Sequence, residues 1–216
     1  MQTRKAETRK RNVYIYKFRN KTMIESLYTY LNSYDIPFTR DEFSVLEEIL
    51  TYKKIRKKEL IAENGRVCQK VLFFSKGYFR FYHSDSRGNE ITSDFYFAPS
   101  FITSYTSFVT GAPSFVNVQA MNEMEVLECS KTDLYNLYDK NPKIERLGRT
   151  IAEAVAINSE EHLFLLLNQT AEMRYKRLLE RYPQYINIIP LQYIASYLGI
   201  TQETLSRMRK SIHSFF

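Results

Sequence analysis

Near one end of the chain lies a group of side chains whose types and spacing suit one kind of chemistry. From Thr201 to Lys210 the sequence reads TQETLSRMRK. Leu205 and Met208 repeat at helical spacing, while Gln202, Glu203, Ser206, Arg207, Arg209 and Lys210 are polar and fall mostly on the opposite face. A helix with such a face fits the DNA major groove, where each base pair presents a distinct pattern of donors and acceptors. Arg207 can bond guanine bidentately, Gln202 can read adenine, and Glu203 can accept from a cytosine amine. Thr201, Ser206, Arg209 and Lys210 suit phosphate oxygens, which position a protein without reading sequence.

Such a helix needs a rigid support, and the preceding residues supply one. Leu191–Met208 reads LQYIASYLGITQETLSRM, a helix-turn-helix pattern. Ile194 and Leu198 are apolar one turn apart, and Ala195 is small where a second helix would cross closely. Gly199 ends the first helix, since glycine adopts the left-handed conformation at least cost. Ile200 plugs the turn and Thr201 can N-cap the second helix, with Glu203 in its first turn favoured by the helix dipole.

Charge is distributed to match. The chain of 216 residues carries a formal charge of +7. Residues 1–22 hold eight basic side chains against one acid, and 171–216 hold seven against three. The stretch between is mildly acidic. A basic end points to a polyanionic partner, most often nucleic acid, or to a solvated charged surface. No apolar run approaches the roughly 18–20 residues that span a bilayer, and no secretory h-region is present, so a soluble cytoplasmic protein is expected.

The remaining sequence divides into four expected parts. Residues 1–22 are a basic tail, either an arm touching nucleic acid or non-native sequence, because Met23-Ile24-Glu25-Ser26-Leu27 reads like an ordinary start. Residues 23–142 form a first domain. It opens with helices marked by Ile24, Leu27, Tyr28 and Leu31, then by Phe43, Leu46, Ile49 and Leu50 after Thr39 as N-cap. Short aromatic and β-branched runs follow, at 71–74, 78–82, 91–97, 115–120 and 125–129, with Gly65, Gly77, Gly88 and Gly111 between runs. That rhythm predicts an antiparallel β-roll or sandwich. A short helix over 131–140 closes it, capped by Ser130 or Thr132.

Residues 143–169 predict a helix about 39 Å long at 1.5 Å per residue. Its near-heptad stripe of Ile144, Leu147, Ile151, Val155, Asn158, His162 and Leu165 needs a cover. A second copy of the chain would supply it, making the stripe a dimer seam; the alternative is packing against the chain's own β-domain. Residues 170–216 hold a further helix and the helix-turn-helix. The expected class is therefore α+β: an N-terminal jelly-roll-like domain with flanking helices, a long dimerisation helix, and a C-terminal helix-turn-helix. Few residues follow the second helix of the motif, so a wing would be reduced or absent.

From about Met23 to Lys210, this order of parts resembles the Crp/Fnr family of bacterial transcription regulators. The hairpin Phe73-Phe74-Ser75-Lys76-Gly77-Tyr78-Phe79, the turn Gly88-Asn89-Glu90, the helix opening Thr170-Ala171-Glu172 with Arg174-Tyr175, and the motif from Gly199 to Arg207 carry the likeness. The resemblance implies a cyclic-nucleotide-binding-like roll and a homodimer on double-stranded DNA. It also implies a near-palindromic site, with recognition helices about 34 Å apart. It places Gln202, Glu203 and Arg207 at the three base-reading positions, and adds RNA polymerase as a candidate partner.

The effector pocket departs from the family pattern. Members that bind cyclic nucleotides carry Gly-Glu-Leu and then Arg-Ser or Arg-Thr, the Arg meeting the phosphate through charge-assisted hydrogen bonds. Aligned without gaps on Ala120, this chain has Thr103-Ser104-Tyr105 and Ser114-Phe115 there, with neither charge. Cyclic AMP is therefore not expected, although the serines could bond another small molecule. Two cysteines, Cys68 and Cys129, fall short of the roughly four that an iron–sulfur cluster needs. The scattered His83, His162 and His213 do not suggest haem or a metal site. No His-x-His pair, nucleophile–base pair or phosphate-binding glycine loop marks an enzyme. The competing reading is a ligand-sensing roll whose helix-turn-helix contacts protein.

Overall fold

The computed structural model describes residues 21–213. Residues 1–20, nearly all of the basic tail, lie outside the described residues.

The chain folds as two compact units. The first runs through Arg80 and resumes over Phe95–Leu147. It opens with helix α1 (21–31), which buries Met23, Leu27 and Leu31 four residues apart. Helix α2 (Arg40–Glu47) buries Phe43 and Leu46. Its start is a reciprocal capping box: the Thr39 hydroxyl accepts from the Glu42 amide and the Glu42 carboxylate accepts from the Thr39 amide. That carboxylate also takes a hydrogen bond from Lys143 Nζ at 2.7 Å, which with the cap holds its pKa down to about 2. The turn of helix expected to reach Leu50 stops at Glu47, because the chain must straighten into the first strand.

Two four-stranded sheets follow. One has the order β1 (Thr51–Ile55), β8 (Met124–Ser130), β3 (Lys70–Phe74), β6 (Ser100–Ile102). The other has the order β2 (Leu60–Ala62), β7 (Asn117–Ala120), β4 (Tyr78–Ser84), β5 (Glu90–Phe97). The pairs β1–β8, β2–β7, β3–β6 and β3–β8 run antiparallel, with Leu72 opposite both Ile102 and Glu128. Leu72, Phe73, Phe74, Phe79, Val118, Val126 and Leu127 form the apolar centre. Gly77 sits at φ +85° between β3 and β4, where a Cβ would come within 3.1 Å of Met124 Cε and 3.2 Å of Asn122 Oδ1. Both the conformation and the space call for glycine.

The strands expected from aromatic and β-branched runs are present, shifted by a residue or two. Four elements of this unit carry no signal that the sequence analysis singles out. Strand β1 carries Lys53 and Lys54 and buries only Tyr52 and Ile55. Its partner strand supplies the compensating charge, Glu128, which pairs with Lys53 and, at 3.3 Å, with Lys70. Strands β2 and β6 are three residues each, and α3 (Tyr105–Thr110) is six, too short for a period to show. Helix α4 (Lys131–Lys140) starts at Ser130, whose hydroxyl accepts from the Asp133 amide.

Helix α5 (Pro142–Asn168) begins in the first unit and continues into the second. The second unit joins residues 148 onward to the segment Phe81–Asp94, the tip of the β4–β5 hairpin. A division by sequence at 142 and 169 does not anticipate that grouping. The unit also holds α6 (Ala171–Arg181), α7 (Pro183–Ile186), α8 (Leu191–Leu198) and α9 (Gln202–His213). No strand follows α9 among the described residues. The architecture is the expected α+β one: an antiparallel β-roll with flanking helices, a long helix, and a C-terminal helix-turn-helix. Among the described residues, no helix is long and apolar enough to cross a membrane.

Candidate nucleic-acid interface

Helices α8 and α9 are joined by three residues. Gly199 adopts φ +68°, and the Ile200 amide reaches back to the Ala195 carbonyl at 3.0 Å, a left-handed helix stop. Thr201 then caps α9, its hydroxyl accepting from the Thr204 amide at 3.2 Å. Ile194, Ala195, Leu198 and Leu205 are buried where the two helices meet. Met208, expected in that core, is only half-buried.

The opposite face of α9 is open. Gln202, Glu203, Arg207 and Lys210 are exposed along it, with Thr201 at its start; Ser206 and Arg209 are half-buried at its flank. The Glu203 carboxyl is held below its ordinary value, first by its own backbone amide, then by the Thr201 hydroxyl and the charge of Arg207. It is thus ionised at neutral pH and can only accept hydrogen bonds. Arg207 Nη2 lies 3.5 Å from the Thr204 hydroxyl, too long to hold the guanidinium in place. The seven expected contact residues therefore share one helix and its cap.

Helix α6 braces the motif. Its N-cap Thr170 accepts from the Met173 amide, and its Tyr175 and Leu178 are buried. Arg174 donates Nη1 to the Gln169 carbonyl at 2.7 Å and Nη2 to the Leu198 carbonyl at 2.8 Å. One guanidinium so ties the end of the long helix to the turn of the helix-turn-helix. The sequence marked Arg174 only as part of a family-like string, not as this strut.

Three of the five expected effector residues have their hydroxyls engaged within the protein, and the other two are exposed. Ser104 and Ser114 are buried and hydrogen-bond each other at 2.8 Å; the Ser114 hydroxyl also lies 2.7 Å from the Val116 carbonyl. The Thr103 hydroxyl donates to the Lys70 carbonyl at 2.8 Å. Tyr105 and Phe115 are exposed. A cyclic nucleotide needs a cation for its phosphate; these side chains carry no charge, and the hydroxyls of Thr103, Ser104 and Ser114 are already engaged. The fit is poor. An open cleft of ≈ 450 Å³ lies elsewhere, lined by Leu60, Glu63, Arg66, Val67, Lys70 and Ser130 among others, and none of the five reaches it.

The stripe proposed as a dimer seam is divided. Ile144 and Leu147 are 2% and 3% exposed, already buried within the single chain, so these two cannot serve as seam positions. Packing within the chain covers the apolar side chains of the first turns of α5. Ile151, Val155, His162 and Leu165 are half-buried and Asn158 is exposed; the His162 ring lies 5.8 Å from that of Tyr197. The uncovered apolar face is another one: Ile157, Leu163, Phe164 and Leu167 are 59%, 56%, 62% and 75% exposed. Heptad counting missed it because Leu163-Phe164-Leu165-Leu166-Leu167 is apolar all round, so periodicity there favours no face.

Residues 52–141 match the sequence model of the cyclic nucleotide-binding domain. No curated protein matches the chain in sequence. Among solved structures the chain is similar to FixK2 from Bradyrhizobium japonicum, at 20% identity and a TM-score of 0.67, covering 77% of this chain and 85% of that one. It is similar to a candidate transcriptional regulator of the Crp/Fnr family from Eubacterium rectale, at 16% identity and a TM-score of 0.62, covering 82% and 84%. The catabolite activator protein of Thermus thermophilus matches at 15% identity and a TM-score of 0.51, with 82% and 84% covered. At these identities the likeness is one of fold.

Proposed function

We propose that the protein is a sequence-specific, DNA-binding transcription regulator of the Crp/Fnr type, acting in the cytoplasm as a homodimer and without cyclic AMP. The observation that carries the reading is the exposed polar face of α9, mounted on a left-handed turn and braced by Arg174. Gln202, Glu203 and Arg207 read bases; Thr201, Ser206, Arg209 and Lys210 hold phosphates. The structures of similar fold include named regulators, which favours the same class. The poor fit of Thr103, Ser104 and Ser114 to a phosphodiester supports independence from cyclic AMP. A bound dimer would act on RNA polymerase. The division of labour assigns 23–142 to the roll, 143–169 to dimerisation and 170–216 to DNA.

The dimer seam is reassigned to the exposed face of α5 around Ile157, Phe164 and Leu167. Burying several such side chains against a second copy gains about 1.5–3 kcal/mol each, whereas leaving them in water has no compensation within the described chain.

Sedimentation with a labelled random-sequence duplex tests both parts. The wild-type protein should sediment as a dimer and carry the duplex. Phe164→Asp should sediment as a monomer and carry the duplex at least tenfold more weakly. A wild-type dimer that carries no duplex would count against DNA binding and favour a helix-turn-helix that contacts protein. A variant that stays dimeric would move the seam elsewhere.

A further inference from the structure

Strand β5 ends the order of its sheet, and the outer edge of such a strand can be met by side chains from other elements. Along a strand, the carbonyl of one residue and the amide two residues on face the same edge. At the hairpin tip those groups are Glu90 O and Thr92 N, and both meet one side chain from the helix-turn-helix. Ser196 Oγ accepts from the Thr92 amide at 2.9 Å and donates to the Glu90 carbonyl at 3.2 Å. Only a hydroxyl can do both from one atom. Thr92 is buried beneath the contact.

The surroundings are ordered to hold the contact. The hairpin tip is fixed by Asp85, whose carboxylate accepts from the amides of Arg87 and Asn89 at 2.8 and 2.9 Å. Ser196 lies on α8, between buried Ala195 and half-buried Tyr197. Burial and then the Asp94 carboxylate of the same hairpin push the Tyr197 phenol up to about 12, so it stays protonated beside the strand. Hairpin tip and helix-turn-helix belong to one compact unit.

We infer that Ser196 is a positioning residue for DNA recognition: its hydroxyl latches α8 to the edge of β5 and so fixes where the recognition helix α9 is presented. The latch leaves the reading face uncovered, since Gln202, Glu203 and Arg207 stay exposed while it is closed. It therefore prepares the motif for DNA rather than masking it. In a dimer, two recognition helices must meet half-sites about 34 Å apart. A motif free to swing must be ordered at the moment of binding, and that cost falls on binding two half-sites together, not on binding one. This inference rests on the DNA-binding reading above, although the latch itself does not.

Hydrogen exchange and duplex titration on the full chain separate the two. In Ser196→Ala the Thr92 amide should exchange at least tenfold faster than in the wild type. Affinity for an inverted-repeat duplex recovered by selection should fall about tenfold, while affinity for the same duplex with one half-site scrambled should not change. Ser196→Thr, which keeps the hydroxyl, should restore slow exchange and tight binding. Unchanged exchange at Thr92 would overturn the latch. Equal loss on both duplexes would overturn the positioning role, since a damaged motif would behave that way. If the wild type selects no duplex, the DNA reading and the positioning role fail together, and exchange at Thr92 still decides the latch.

Discussion

Replacing Arg174 with alanine is expected to destabilise the second unit by about 3 kcal/mol. Hydrogen bonds from a charged donor contribute about 1.5–3 kcal/mol each, and Arg174 makes two, to the Gln169 and Leu198 carbonyls. Its Nε is buried without a hydrogen-bond partner among the described residues, a cost that the substitution removes and that keeps the net effect below the upper bound of about 6 kcal/mol. Both acceptors sit at helix ends, where carbonyls lack intrahelical donors. Arg174→Lys should recover little, because one ammonium cannot reproduce a planar fork that spans two carbonyls. Urea unfolding monitored by tyrosine signal from the second unit would measure this; a loss under about 1 kcal/mol would mean that packing of α6 alone holds the motif.

Arg207→Ala is expected to cost roughly 1–3 kcal/mol on the selected duplex and to relax preference at one base position. The side chain is exposed on the free face of α9 and only loosely placed by Thr204, so its removal disturbs no core. Loss of a bidentate base contact should leave affinity for random duplexes nearly unchanged. Lys210→Ala should do the reverse in a smaller way, weakening all duplexes together, because a phosphate contact carries no sequence information. Comparative titration of the two variants reads the difference. Equal loss on selected and random duplexes would make Arg207 a phosphate contact.

The helix-turn-helix was legible in the sequence because local signals decide it. Gly199, the Thr201 cap and the spacing of Ile194, Leu198 and Leu205 all act within a few residues of each other, and the structure uses each of them. The β-roll was legible as a rhythm of aromatic runs, less so at β1, where lysines on an edge strand hide a pattern that buries only Tyr52 and Ile55. The remainder depends on partners far along the chain. Ser104 and Ser114 look available in sequence, but each satisfies the other. Ser196 looks like an ordinary polar helix residue, and its partners are backbone groups 104 and 106 positions away, which leave no trace in residue identity. The face of α5 that stays uncovered could not be read either. Ile144 and Leu147 fit the same heptad as Ile151 and Leu165, and only packing within the chain distinguishes which of them are already buried.

The central claim is that α9 reads DNA as one half of a symmetric pair. Its most direct test is repeated selection of random duplexes by the purified protein at near-physiological salt, followed by sequencing. The account predicts an enriched inverted repeat with half-sites centred about 10–10.5 base pairs apart, one helical turn, set by the two-fold axis of the dimer. Enrichment of no sequence above the starting pool would contradict it.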